Sequence, residues 1–328
     1  MIPRIPDHGG GLSRAMKHFG AGDDWIDLST GINPWPYPVP EIRPAAWHRL
    51  PDDDALTALK SAARGFYGAR PEAPIAAAPG SQALIQLLPR MLPPGAVAVV
   101  GPSYAEHARC WRLAGHSVSE TTELEAATAP ILIVVNPNNP DGRRWSLEAL
   151  FDAIRKREED GLVVIDEAFA EVALPAVSLA AAAGMPGLVV LRSFGKFFGL
   201  AGLRLGFALG PADLIERIED ALGPWAVSGP ALAIGRAALA DAGWAIETRA
   251  RLAARALELD AVLARHGLEA QGGTDLFRLV RSVQADAVFE RLGRAHILVR
   301  AFSFRPDWLR FGLPPDEAAL ARLEQALG

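Results

Sequence analysis

The 328-residue sequence holds one cysteine, Cys110, so an internal disulfide framework and a multi-cysteine metal site are both excluded. Beside Trp111, Cys110 reads as a small buried hydrophobe, and no metal is expected. There is no basic excess: 33 Lys and Arg stand against 38 Asp and Glu, a formal charge of −5, which argues against a nucleic-acid partner. No apolar run reaches the roughly 20 residues of a membrane helix. The run Leu188-Val-Val-Leu191 stops at Arg192. Met1 to His8 has no apolar core of signal-peptide length, so a cytoplasmic protein with no membrane partner is expected. Several motifs are missing. Gly195-Lys196 precedes Phe197, so there is no phosphate-binding G-x-x-x-x-G-K-[ST] loop; Gly101-Pro-Ser-Tyr-Ala105 lacks the last glycine of a nucleophile elbow; G-x-G-x-x-G and H-E-x-x-H are absent. Lysine is scarce as well: of the 33 basic residues only Lys17, Lys60, Lys156 and Lys196 are lysines. Where arginine supplies the charge, each remaining lysine draws notice for its amine.

What is present is globular. Half the residues are hydrophobic and 22% are charged. At about 150 residues per domain, the length suggests two domains or one large α/β unit. Residues 1–50, with Gly9-Gly-Gly11 and Asn33-Pro-Trp-Pro-Tyr-Pro38, read as an ordered arm. Asp52-Asp-Asp54 then caps a helical pattern ending at Gly68. Strands are expected at 75–78, 96–100, 131–135, 162–165, 188–191 and 205–209. Helices are expected from 81 to about 91, 104 to 114, 147 to about 157, and from 212. Continuous Val/Ile/Leu runs between helices mean a mostly parallel sheet covered on both faces. From Gly229 a long helical region runs to about His266. Short strand-like pieces at 276–280, 297–299 and 308–311 follow, and a helix over 315–327 closes the chain. The expected division is an arm over 1–44, a large domain over 45–228 and a smaller α+β domain over 229–328.

In such sheets ligands bind beyond the carboxyl ends of the strands. The polar residues there are Gly80, Ser81 and Gln82; Ser103 and Tyr104; Asn136, Asn138 and Asn139; Asp166 and Glu167; and Ser193 and Lys196. Asp166 reads either as a cap for the next turn or as a buried charge awaiting a cationic partner. Lys196, in Ser193-Phe-Gly-Lys-Phe-Phe-Gly199, reads either as a snorkelling surface lysine or as an amine made nucleophilic by aromatic neighbours and Arg204.

Taken in order, these segments resemble the fold-type I pyridoxal-phosphate enzymes of the aspartate aminotransferase superfamily. The landmarks are Pro79-Gly-Ser-Gln82, Asn136-Pro-Asn-Asn-Pro-Asp-Gly142, Asp166-Glu-Ala-Phe169 and Ser193 to Gly206 with its Ser-x-x-Lys…Arg spacing. The resemblance implies pyridoxal 5'-phosphate as cofactor, bonded at its aldehyde by Lys196 and paired at its ring nitrogen with Asp166. It further implies that Asn139 donates to the phenolic oxygen and that Tyr104 stacks on the ring. Gly80, Ser81, Gln82, Ser193 and Arg204 would hold the phosphate, and Arg310 the substrate carboxylate. A homodimer is implied too, because the superfamily builds its sites at subunit interfaces.

Two positions depart from the pattern. Phe169 stands where many members have a tyrosine that donates to the phenolic oxygen. Leu50 stands where histidinol-phosphate-type members have a tyrosine reaching the partner's cofactor phosphate. Asp7-His-Gly-Gly10, Asp27 to Pro34, Phe169 and Leu309-Arg-Phe-Gly-Leu-Pro314 make the chain most similar to the threonine-phosphate decarboxylases of cobalamin biosynthesis. That likeness implies a phosphorylated amino acid as substrate, with Asn33 near it and His8, Arg300 and Arg305 as candidates for its phosphate. A histidinol-phosphate-type aminotransferase is the alternative on the same scaffold.

Overall fold

The computed structural model describes residues 8–157, 161–173 and 178–328; Asp7 of the opening motif lies outside them. The chain divides into two compact units. One joins the arm up to Trp35 with Pro140–Arg143 and Ile246–Gly328; the other comprises Pro36–Asn139 and Arg144–Ala245.

In chain order the arm forms helix α1 (Leu12–Phe19) and the two-residue strand β1 (Ile26–Asp27). Helices α2 (Ala45–His48) and α3 (Asp53–Tyr67) follow. The acidic triplet acts as expected: Asp52 Oδ1 accepts from Ala55 N at 2.8 Å, and Gly68 ends α3 in the left-handed conformation at φ 70°. The second unit is then built from β2 (Ile75–Ala78), α4 (Ser81–Leu87), β3 (Ala96–Val100), α5 (Ala105–Leu113), β4 (Ser117–Thr121), β5 (Ile131–Val135), α6 (Leu147–Arg155), β6 (Leu162–Asp166), β7 (Leu188–Ser193), α7 (Phe194–Phe197), β8 (Gly206–Leu209), α8 (Ala212–Leu222) and α9 (Gly229–Ala240). The seven strands lie in the order β2-β8-β7-β6-β5-β3-β4, and β8 alone runs against the others. β5 and β6 are buried along their whole length, as strands covered on both faces must be.

Some expectations need correction. α4 ends at Leu87, and Pro89 lies in a following 3₁₀ turn, because proline has no N–H to continue the helix. The helical stretch after Gly229 is two helices, α9 and α10 (Ala242–Arg265), broken at Asp241, whose side chain accepts from Trp244 N at 2.9 Å. Arg192 does not end β7 but lies within it, fully buried. The edge strand β4 was missed, since Ser-Val-Ser-Glu-Thr has no apolar run.

The other unit is completed by β9 (Ala270–Thr274), β10 (Phe277–Arg281), α11 (Ala285–Arg294), β11 (Ile297–Leu298), β12 (Arg300–Phe302), β13 (Arg305–Gly312) and α12 (Glu317–Leu327). Four strands form an antiparallel sheet in the order β12-β13-β10-β9, and β1 pairs in parallel with β11. The molecule is thus an α/β protein with a mostly parallel sheet flanked by helices and a smaller antiparallel sheet. No described helix is long and apolar enough to cross a membrane.

Candidate active site

The second unit gathers most of the expected residues at the carboxyl ends of its parallel strands. β6 ends at Asp166, which is buried. Its Oδ1 accepts from Ala168 N at 3.0 Å, so the carboxylate does shape the next turn. Its Oδ2 lies 2.8 Å from Nε2 of His107 on α5, which is 1% exposed. A carboxylate only accepts, so His107 donates through Nε2. Sequence reading passed over His107. The available signal was helical spacing, since Tyr104, His107 and Trp111 fall on one side of α5, but a core histidine shows the same spacing.

Lys196 sits half-buried in α7 among the buried Phe194, Phe197 and Phe198, with Nζ 5.5 Å from the centroid of the Phe169 ring. Phe169 is itself buried and has no hydroxyl to donate. Asn136 Oδ1 accepts from Trp145 N at 2.9 Å, and Asn138 Nδ2 donates to Pro102 O at 2.9 Å. These two bonds fix the loop that carries Asn139 beyond β5. Leu50 is 66% exposed.

The expected phosphate set converges around the start of α4. A Cβ on Gly80 would fall 2.4 Å from Arg204 Nη2, and one on Gly206 would fall 2.3 Å from Ser81 N. Gly80 has φ +87°, a conformation that favours glycine. Ser193 pairs across the ladder with Gly206, which brings it to the same place. A guanidinium beside bare backbone at a helix start suits a phosphate. The buried Asp166–His107 pair suits a cationic ring nitrogen. These residues therefore fit pyridoxal phosphate. Gln82 differs in detail: its side chain is engaged by Tyr104 and Glu106.

Behind the strand ends lies a buried charge cluster that sequence reading missed. Arg192 donates through Nη1 to Glu167 and through Nη2 to Glu171 Oε1 at 3.1 Å, and its guanidinium covers the Tyr67 ring at 4.2 Å. Glu167 also accepts from Ser178 Oγ at 2.8 Å and Leu179 N at 2.6 Å. One cation faces two carboxylates. Burial pushes Glu171 up to about 7 from the usual 4.5, with Arg192 opposing the shift. An acid raised on folding stabilises the fold below its unfolded pKa, and that stability is lost as pH rises through the folded value. Melting temperature should therefore fall between pH 4.5 and 7 in a way that Glu171→Gln flattens. Parallel melting curves for the two proteins across that window would contradict this.

On α5, Cys110 is buried with Sγ 3.8 Å from Glu106 Oε2, and burial followed by the nearby carboxylate pushes its thiol up.

The other unit carries a second constellation. Arg300 on β12 and Arg310 on β13 are directly opposed in the antiparallel register. Arg310 is 3% exposed, and its Nη2 donates to Ser29 O at 2.9 Å. Burial, then the facing Arg300, holds its pKa well below the usual arginine range, against a pull from Asp27. Asn33 is buried, and its Oδ1 accepts from Trp35 N at 2.9 Å. His8 is half-buried in the arm, where a Cβ on the adjacent Gly9 would fall 2.3 Å from Ser29 O. Arg305 lies 3.4 Å from Asp307 Oδ1 and 4.6 Å from the centre of the Trp308 ring.

The family model for aminotransferase class I and II matches residues 23–327. The chain belongs to that family. Within it, this aminotransferase-family chain is 46% identical over 326 residues to a threonine-phosphate decarboxylase from Sinorhizobium sp, covering 98% of this chain and 97% of the relative. It is 46% identical to the threonine-phosphate decarboxylase of Pseudomonas aeruginosa, with 98% and 97% covered. A crystal structure of histidinol-phosphate aminotransferase from Sinorhizobium meliloti in complex with pyridoxal-5'-phosphate superposes with a TM-score of 0.81 at 20% identity, covering 99% and 94% of the two chains. The fold is therefore that of the fold-type I transferases, as the sequence resemblance implied.

Proposed function

We propose that this family member decarboxylates L-threonine O-3-phosphate to (R)-1-amino-2-propanol O-2-phosphate and CO₂, with pyridoxal 5'-phosphate as cofactor, in cobalamin biosynthesis. The observation that carries the substrate class is the Arg300–Arg310 pair. Like charges directly opposite on antiparallel strands are destabilising. Two guanidiniums in register, one of them buried, suit an anionic ligand, and a phosphorylated amino acid brings both a carboxylate and a phosphate. Kinship with the two decarboxylases favours loss of CO₂ over amino transfer.

The cofactor, when bound, supplies an electron-accepting ring for the electron pair of the broken Cα–carboxylate bond. Lys196 would supply the amine for its aldehyde and would hold or move a proton at the substrate carbon. Asp166, oriented by His107, keeps a negative charge for the ring nitrogen. Gly80, Ser81, Ser193 and Arg204 would hold the phosphate, Tyr104 would offer its ring face to the cofactor, and Asn139 would donate to the phenolic oxygen. Arg310 orients the substrate carboxylate. Asn33 and His8 act from the arm, and Arg300 takes the substrate phosphate. A homodimer is part of this proposal, with a second copy covering the exposed Trp47 and Leu50.

The deciding experiment supplies the purified chain with pyridoxal phosphate and threonine phosphate. CO₂ and aminopropanol phosphate should form without any 2-oxo acid. Amino transfer that depends on 2-oxoglutarate, with no CO₂ released, would assign the chain to the histidinol-phosphate type instead.

A further inference from the structure

Tyr104 is held by a directed chain of hydrogen bonds whose polarity is set at its far end. Its Oη lies 3.0 Å from Gln82 Oε1, and Gln82 Nε2 lies 3.2 Å from Glu106 Oε2. Glu106 is 8% exposed, and the same Oε2 also accepts from Arg109 Nη1 at 3.2 Å. A carboxylate has no hydrogen to give, so Gln82 must turn its NH₂ group toward Glu106. That leaves the amide oxygen facing Tyr104, which makes the phenol a donor to Gln82. The phenol proton is then committed to the protein. The ring is fixed by its tip and meets the edge of His107 at 6.1 Å and 85°. His107 in turn holds Asp166.

We propose that Gln82 is a positioning residue: oriented by Glu106, it clamps the Tyr104 hydroxyl so that this ring is set as a rigid apolar face for the cofactor rather than as an acid. The proposal rests on the cofactor reading above and extends it. It gives Gln82, in the first turn of α4, a task other than holding phosphate. One residue then ties the phosphate end of the site to the stacking ring and, through His107, to the ring-nitrogen end.

The test is a double-mutant cycle on the full-length chain, read by the dissociation constant of pyridoxal phosphate and by the visible circular dichroism of the bound coenzyme. Gln82→Leu and Tyr104→Phe should each weaken coenzyme binding about fivefold, the size of one neutral hydrogen bond. Both remove the same bond, so the double variant should also lose about fivefold rather than about 25-fold. The dichroic band should shrink equally in all three. Tyr104→Phe keeps the ring and gives an independent reading if Gln82→Leu folds poorly, which melting of the apoproteins reports. Multiplicative losses, or an unchanged band, would overturn the clamp while leaving the cofactor reading intact. A wild-type chain that takes up no coenzyme would overturn both.

Discussion

Replacing Lys196 with alanine should cut CO₂ release from threonine phosphate by about 10⁴-fold or more, the upper end of what a positioned acid–base group contributes, with loss of covalent catalysis added. The fold should persist. Local packing around α7 comes from Phe194, Phe197 and Phe198, all fully buried, with the first and last stacked at 4.4 Å. Lys196 is only half-buried, so its truncation leaves that aromatic group in place. Borohydride treatment of the coenzyme-loaded protein should label the wild type covalently at Lys196 and leave the variant unlabelled. Near-ultraviolet dichroism of the apoproteins should match. Turnover at the wild-type rate by the variant would end the assignment.

Arg192→Met is expected to have the largest effect on stability. The substitution keeps most of the side-chain volume but removes the cation that pairs with Glu167 and Glu171, neither more than 1% exposed. Removing one partner of a buried ion pair costs about 3–5 kcal/mol, because a charge is left behind without compensation. Denaturant titration of the apoprotein measures it. Adding Glu167→Gln and Glu171→Gln should recover part of the loss, since the surplus charge is gone. A single variant as stable as the parent would show that the cluster is not a structural tie. The cluster is continuous in sequence with the candidate site: Glu167 follows Asp166, and Arg192 precedes Ser193.

Much of the second unit was legible because its strands are unbroken Val, Ile and Leu runs and its candidate site residues closely follow them. Asp166 after Leu-Val-Val-Ile, and Lys196 three residues beyond the end of β7, could be placed from position alone. His107 could not be, because a helical histidine looks the same whether it holds a carboxylate or fills a core. Arg192 misled in the opposite sense. A charge after four apolar residues reads as a strand end, and only the partners brought by Glu167 and Glu171 let it lie inside β7. The strand β9, Ala-Gln-Gly-Gly-Thr, carries no apolar signal. Its glycines answer a distant demand: a Cβ on Gly272 would fall 2.1 Å from Asp141 O. Such close approaches belong to tertiary structure and leave no periodicity in the chain. The pairing of Arg300 with Arg310 was equally hidden, since ten residues of sequence separate them and only the β12–β13 register aligns them.

The solitary sulfur in α5 offers a clock for the site. Cys110 is the chain's one thiol and is shielded beside the carboxylate that orients Gln82. A thiol-modifying reagent labels a single atom, and burial of Cys110 slows it until that helix loosens. The pace of labelling therefore reports how often α5 opens around Glu106, and coenzyme loading should slow it.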